Sequence, residues 1–197
     1  MQKGKRQEPV EVPTMEQIEQ EKNRLRYKRR YHRTLKSTVA VLLVVAALAI
    51  LAATLWMPVL QIYGASMTPT LTDGEIIFTI KTSEFEPGDI IAFYYNNKIL
   101  VKRVIAEPGD WVDIESDGTV YVNSAPLEET YLTEKAYGDT NIALPYQVPN
   151  GKIFVMGDHR ETSVDSRNTA VGCVSREQVV GKIIFRIWSL NRFGVPG

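Results

Sequence analysis

From residue 37 to residue 57 the chain is an apolar run of 21 residues dominated by Val, Leu, Ala and Ile, and no charge occurs between Lys36 and Asp73. About 20 apolar residues in a helix cross a hydrocarbon core of ~30 Å, so the run predicts one membrane-spanning helix. Past Pro58 the pattern changes to short β-branched and aromatic runs broken by Gly, Pro, Asp and Asn, which predicts a mainly antiparallel β domain. Strands are expected at 75–81, 89–95, 99–106, 111–115, 119–122, 152–156 and 179–188. Asn96-Asn97 should close a tight hairpin, because Asn tolerates the positive φ such turns need. Pro87-Gly88-Asp89 and Pro108-Gly109-Asp110 read as turns. The more polar stretch 113–150, with Pro126, Pro145 and Pro149, reads as a smaller β segment inserted in that domain. The chain therefore divides into a tail (1–36), a span (37–57) and a β domain (58–197).

Charge orients this arrangement. The net charge is zero, yet residues 1–36 hold 11 Lys or Arg against 5 Asp or Glu, and the remainder holds 12 against 18. Basic residues crowding the near end of a span predict a cytoplasmic N-terminus, and Trp56 at the far end suits an interfacial aromatic belt. The expected location is a single-pass protein of the plasma membrane, in contact with lipid, with its β domain outside the cell. A cleaved signal peptide fits poorly, since its apolar core spans about 7 to 15 residues behind a short basic start. Nucleic-acid binding by the basic segment is not expected either, because topology already accounts for charges that abut a span. Residues 1 to about 21 read as a disordered tail, although the composition permits a helix from Glu16 onward. Cys173 stands alone, so no internal disulfide can form. No metal-ligand cluster or phosphate-cradling motif is visible, and no cofactor is expected.

Two residues suggest chemistry. Ser66 lies in Gly64-Ala-Ser-Met-Thr-Pro-Thr70, where small neighbours admit a substrate backbone and Pro69 biases Thr68 away from helix. A serine hydroxyl needs a base to become a nucleophile. The chain has only two histidines, and His32 sits among the tail's basic residues, across the membrane from Ser66. A neutral lysine is the other candidate. Lys102 lies in Ile99-Leu-Val-Lys-Arg-Val-Ile105, where strand alternation puts it with Leu100 and Val104 and turns Arg103 to the opposite face. Desolvation can lower an ammonium pKa by up to about 3 to 5 units. The same pattern also fits a lysine that snorkels from an ordinary strand.

Four segments, Ser66 to Thr70, Gly88 to Phe93, Lys102 to Asp110 and Gly157 to Arg167, follow the apolar run in this order. Together they resemble the sequence boxes of type I signal peptidases, from about Ser37 to the C-terminus and weakly across the insertion. The resemblance implies a membrane-bound serine endopeptidase that removes signal peptides from secretory preproteins, working near the secretion translocon. It implies Ser66 as nucleophile, Lys102 as general base and Met67 lining the pocket for the residue before the cut. It further implies that the Ser163 hydroxyl orients the lysine and that Asp165 and Arg167 form a structural ion pair, with Asp158 in the same box. Two positions depart from the family. Gly64 stands where some members place a serine that completes the oxyanion hole, and His159 stands where Asn is more usual and reads as a loop residue with a local hydrogen bond. Nine residues separate Met57 from Ser66, so even an extended link reaches only ~30 Å.

Three other readings stay open at this stage. Self-cleaving repressors of the SOS response share a Ser-Lys β fold, but this chain has a span where they carry a DNA-binding head. A catalytically silent, membrane-anchored relative acting in pilus or secretion assembly would not need both Ser66 and Lys102. A cysteine protease built on Cys173 and His159 rests on a single residue of each kind.

Overall fold

In the computed structural model, which describes residues 14–197 and only the backbone of Leu55 and Trp56, Thr14 opens helix α1 (Met15–Trp56). Thr14 and Gln17 form a capping box: the Gln17 N–H donates to Thr14 Oγ1 at 3.4 Å, and the Thr14 N–H donates to Gln17 Oε1 at 3.0 Å. The helix that composition permits from Glu16 onward is present and begins one residue earlier, so residues 15–21 are helical where a disordered tail was the alternative, and residues 1–13 of that tail lie outside the described residues. The boundary between tail and span is a change of charge, with no break in the helix. Val41, Leu42, Leu43, Val44, Val45 and Leu48 are exposed, and the apolar stretch is long enough to cross a membrane. The interfacial role expected of Trp56 concerns a side chain outside the described residues.

The β domain contains eleven strands among the described residues: β1 (Val59–Gln61), β2 (Ile76–Ile80), β3 (Ile90–Tyr95), β4 (Lys98–Ala106), β5 (Trp111–Ile114), β6 (Val120–Val122), β7 (Ala125–Pro126), β8 (Tyr146–Gln147), β9 (Lys152–Met156), β10 (Val174–Ser175) and β11 (Val179–Trp188). They form a seven-stranded sheet in the order β1-β2-β11-β3-β4-β9-β10 and a four-stranded sheet in the order β7-β6-β5-β8, with every pairing antiparallel. All seven expected strands are present to within a residue or so at each end. The four that alternation did not reveal, β1, β7, β8 and β10, are two or three residues long, too short to show a period of two. The smaller sheet occupies the connection between β4 and β9. It joins the main sheet through one apolar cluster, which includes Val112, Ile114 and Val120 with Ile105, Phe154 and Met156.

Strand β4 is the element that matters most for the site. Asn96, at φ 52°, turns the chain from β3 into β4, as the Asn-Asn pair predicts. The β9 register runs from Arg103↔Met156 through Val104↔Val155 to Ala106↔Phe154, which leaves Ile105 as an unopposed bulge residue. Ahead of the bulge, alternation is strict and Lys102 and Arg103 leave opposite faces. Because β9 begins to pair only at Arg103, the Lys98–Lys102 side of β4 away from β3 has no strand partner among the described residues.

Candidate active site

Ser66 sits in a turn between β1 and β2 that is held from several directions. Met67 and Leu71 are buried beneath it with Ile62, Ile77 and Ile183. The Leu71 N–H donates to the Met67 carbonyl at 2.9 Å, and the Thr68 N–H to the Ala65 carbonyl at 3.0 Å. On the far side, Arg186 donates to the Thr70 carbonyl at 2.8 Å and Arg192 to the Pro69 carbonyl at 2.6 Å. The buried Glu75 carboxylate lies between both guanidiniums. Gly64 has φ +88°, where a side chain would be strained, and its N–H donates to Asp73 Oδ1 at 2.7 Å. That N–H is therefore already engaged, and Gly64 brings no side-chain donor to the site.

The two residues singled out for chemistry meet. Lys102 is 2% exposed, and its Nζ donates to Ser66 Oγ at 2.8 Å. Burial pushes the ammonium down from an ordinary 10.5 to about 8; Asp165 and Asp158 pull it up, and Arg167 pulls it down. Desolvation outweighs the attraction of the two carboxylates, so a useful fraction of the amine is neutral near physiological pH. Beside the pair runs a cleft of about 770 Å³, lined by β1, Gly64, Met67 and the unpaired edge of β4.

The Gly157–Arg167 loop closes over the pair. Asp165 and Arg167 are fully buried and joined by two charge-assisted bonds of 2.9 Å, and Asp165 Oδ2 also accepts the Gly157 N–H at 2.9 Å. Arg167 reaches further, donating to the carbonyls of Tyr137 and Arg160 at 2.9 and 2.8 Å. Asp158 takes the Arg103 guanidinium in a bidentate bond of 3.0 and 2.7 Å, on the face of β4 opposite Lys102. The His159 N–H donates to the Ser66 carbonyl at 3.1 Å, and its Nδ1 lies 2.8 Å from Thr162 Oγ1, the local bond expected of it. Gly157 must be glycine: a Cβ there would fall on Ser163 Oγ and Cβ and on the Ser66 carbonyl oxygen. Ser163 is therefore against the Ser66 backbone. Its hydroxyl is buried without a hydrogen-bond partner, so the bond to Lys102 that the resemblance implies is not formed while Lys102 points at Ser66 Oγ.

A family profile described as signal peptidase, peptidase S26, matches residues 35–188. The chain belongs to that family. A signal peptidase I from Bacillus licheniformis is 38% identical over 168 residues, which cover 77% of this chain and 87% of the relative. A signal peptidase IB from Staphylococcus aureus is 40% identical over 153 residues, covering 67% and 78%. A crystal structure of a signal peptidase I from Enterococcus faecalis V583 shares 32% identity and covers 50% of this chain and 96% of its own, at a TM-score of 0.43. The chain is thus a membrane-anchored peptidase of the signal peptidase family, and the silent assembly module is not favoured. The cysteine-protease reading fails on structure. Cys173 lies in the apolar cluster between the sheets, and burial pushes its thiol up, away from thiolate.

Sequence reasoning missed the partners of the buried arginines. Arg103 and Arg160 lie inside the quoted segments, but Asp158 and Glu129 are 55 and 31 residues away from them. No local pattern marks such pairs. The Arg186, Arg192 and Glu75 group behind the nucleophile turn spans more than 100 residues and was equally invisible.

Proposed function

We propose that this signal peptidase removes N-terminal signal peptides from secreted preproteins by acyl transfer through Ser66, with neutral Lys102 as its general base. The observation that carries the assignment is the 2.8 Å approach of a desolvated amine to a serine hydroxyl. Ser66 Oγ attacks the scissile carbonyl as its proton passes to Lys102 Nζ. The resulting oxyanion is held by the Ser66 N–H, which has no hydrogen bond of its own among the described residues. The Lys102 ammonium then protonates the departing amine of the mature protein, leaving the signal peptide esterified to Ser66. Water attacks the ester as its proton passes to Lys102, and the ammonium returns that proton to Ser66 Oγ as the signal peptide leaves with its new carboxylate. Ser163, buried and unpartnered, would accept a hydrogen bond from the ammonium while it exists and keep it beside Ser66. The preprotein would lie extended in the cleft against the free edge of β4, with Met67 under the residue before the cut. The basic half of α1 supports a cytoplasmic N-terminus and a catalytic domain outside the plasma membrane, beside the secretion translocon.

The assignment is tested with the full-length enzyme in detergent and a preprotein carrying an Ala-X-Ala site. Ser66→Ala is expected to abolish cleavage and His159→Asn to retain it within a few-fold, read as product bands over time. Cleavage by Ser66→Ala would end the assignment.

The pH profile is a separate measurement. Only the neutral amine can take the serine proton, so kcat/KM should rise with pH through a midpoint near about 8. A midpoint at the ordinary lysine value of 10.5 would contradict the burial that makes Lys102 a base.

A further inference from the structure

Glu129 and Arg160 form an ion pair with side chains 0% and 1% exposed, a group the mechanism above leaves unused. Arg160 Nη1 donates to Glu129 Oε2 at 3.1 Å and Nη2 donates to Oε1. The Tyr131 hydroxyl donates to the same Oε1 at 3.1 Å, and its ring lies 3.8 Å beneath the Arg103 guanidinium. The Arg160 Nε–H donates to the Gly157 carbonyl at 3.1 Å. Two residues on from Gly157, the His159 N–H holds the Ser66 carbonyl. A line of direct bonds thus runs from the inserted segment into the loop that closes over the nucleophile.

We propose that Glu129 is a positioning residue for Ser66 and Lys102, acting through Arg160 to hold the 157–163 loop in place. The reading rests on the Ser66–Lys102 assignment above. Stability alone does not account for an ionised pair at this depth, because desolvation offsets most of the attraction and an apolar pair of similar volume often serves as well. What the pair supplies is orientation. The carboxylate accepts from both Nη atoms of the planar guanidinium, and the Nε–H is thereby aimed at Gly157. Arg103 and Arg160 converge on Tyr131 from opposite ends of its ring system, one on the face and one at the hydroxyl. The inserted segment therefore bears on Lys102's neighbour in β4 and on the loop at once.

The test uses the full-length enzyme in detergent and measures kcat, KM and Tm together. Glu129→Gln is expected to lower Tm, since Arg160 is left buried without its counter-ion, and to lower kcat by about tenfold or more at a KM within about twofold, the signature of misplaced reacting groups. Glu129→Leu combined with Arg160→Met removes both charges and is expected to recover Tm while kcat stays down. Recovery of kcat along with Tm in the double variant would mean the pair is only structural and would overturn the proposal, as would wild-type kcat in Glu129→Gln. Should neither variant fold, Tyr131→Phe keeps the ring under Arg103 and removes the hydroxyl; a fall in kcat at constant KM supports the proposal and an unchanged kcat overturns it. Ser66→Ala in the same assay separates the two readings. Cleavage by that variant removes the dyad and the proposal with it, whereas a silent Ser66→Ala beside an unaffected Glu129→Gln removes the proposal alone.

Discussion

Lys102→Met is expected to abolish preprotein cleavage and at the same time to stabilise the protein at pH 7. The activity loss should be about 10³-fold or more, within the range that follows removal of a general base. The stability gain comes from the same burial that makes the lysine a base. Its folded pKa of about 8 lies below the unfolded value of 10.5, so between those values the unfolded chain binds a proton that the folded chain has released. Stability therefore rises with pH across that window, and at pH 7 the wild type bears nearly the full cost of a buried ammonium. At about 1.36 kcal/mol per pKa unit, removing the amine recovers up to ~3 kcal/mol, less the hydrogen bond to Ser66. Denaturant melts of the wild type and Lys102→Met at pH 7 and at pH 10.5 check this. The variant should be the more stable at the lower pH, with the gap closing at the higher one; a variant less stable at pH 7 would mean the amine is well solvated.

Asp165→Asn should act in the opposite sense on stability and is the second large effect. The Asp165 carboxylate accepts four hydrogen bonds, three from Arg167 and one from the Gly157 N–H. Asn matches the shape but leaves the Arg167 charge, with a side chain 0% exposed, without its counter-ion. Breaking one side of such a buried pair typically costs about 3–5 kcal/mol. Arg167→Lys is no remedy at its own position, because an ammonium cannot reach Asp165, the Tyr137 carbonyl and the Arg160 carbonyl together. In the folded fraction of Asp165→Asn, Lys102 loses a carboxylate that raises its pKa and keeps Arg167, which lowers it. The acid limb of the rate profile should therefore move to lower pH. A melting temperature equal to wild type would refute the destabilisation, and an unmoved acid limb would refute the coupling to Lys102.

Much of the architecture could be read along the chain because its causes are local. The apolar run, the β-branched strands and the Asn-Asn and Pro-Gly-Asp turns each act over a few residues, and the strands appear where alternation puts them. Thr14-Met-Glu-Gln17 is a local signal too, a capping box that starts the helix at Met15, one residue ahead of the Glu16 that composition permits. Of the site, alternation in β4 placed Lys102 and Arg103 on opposite faces, small neighbours marked Ser66 as a candidate nucleophile, and Asp165 and Arg167 came from resemblance. Ser163 Oγ, expected to hold Lys102, packs against Gly157 and has no hydrogen-bond partner among the described residues.

What the sequence by itself determined is the kind of molecule: an apolar helix ahead of an antiparallel β domain, with a serine, a strand lysine and the segments of a known peptidase family. Only the tertiary structure decided that the lysine is dry and touching the serine across 36 residues of chain, and that Arg103 and Arg160 answer to Asp158 and Glu129. The physical reason is that helix, strand and turn preferences decay within a few residues. Desolvation and partner choice depend on strand register, on the bulge at Ile105 and on where the 157–167 loop comes to rest, and those exist only once the sheets have paired.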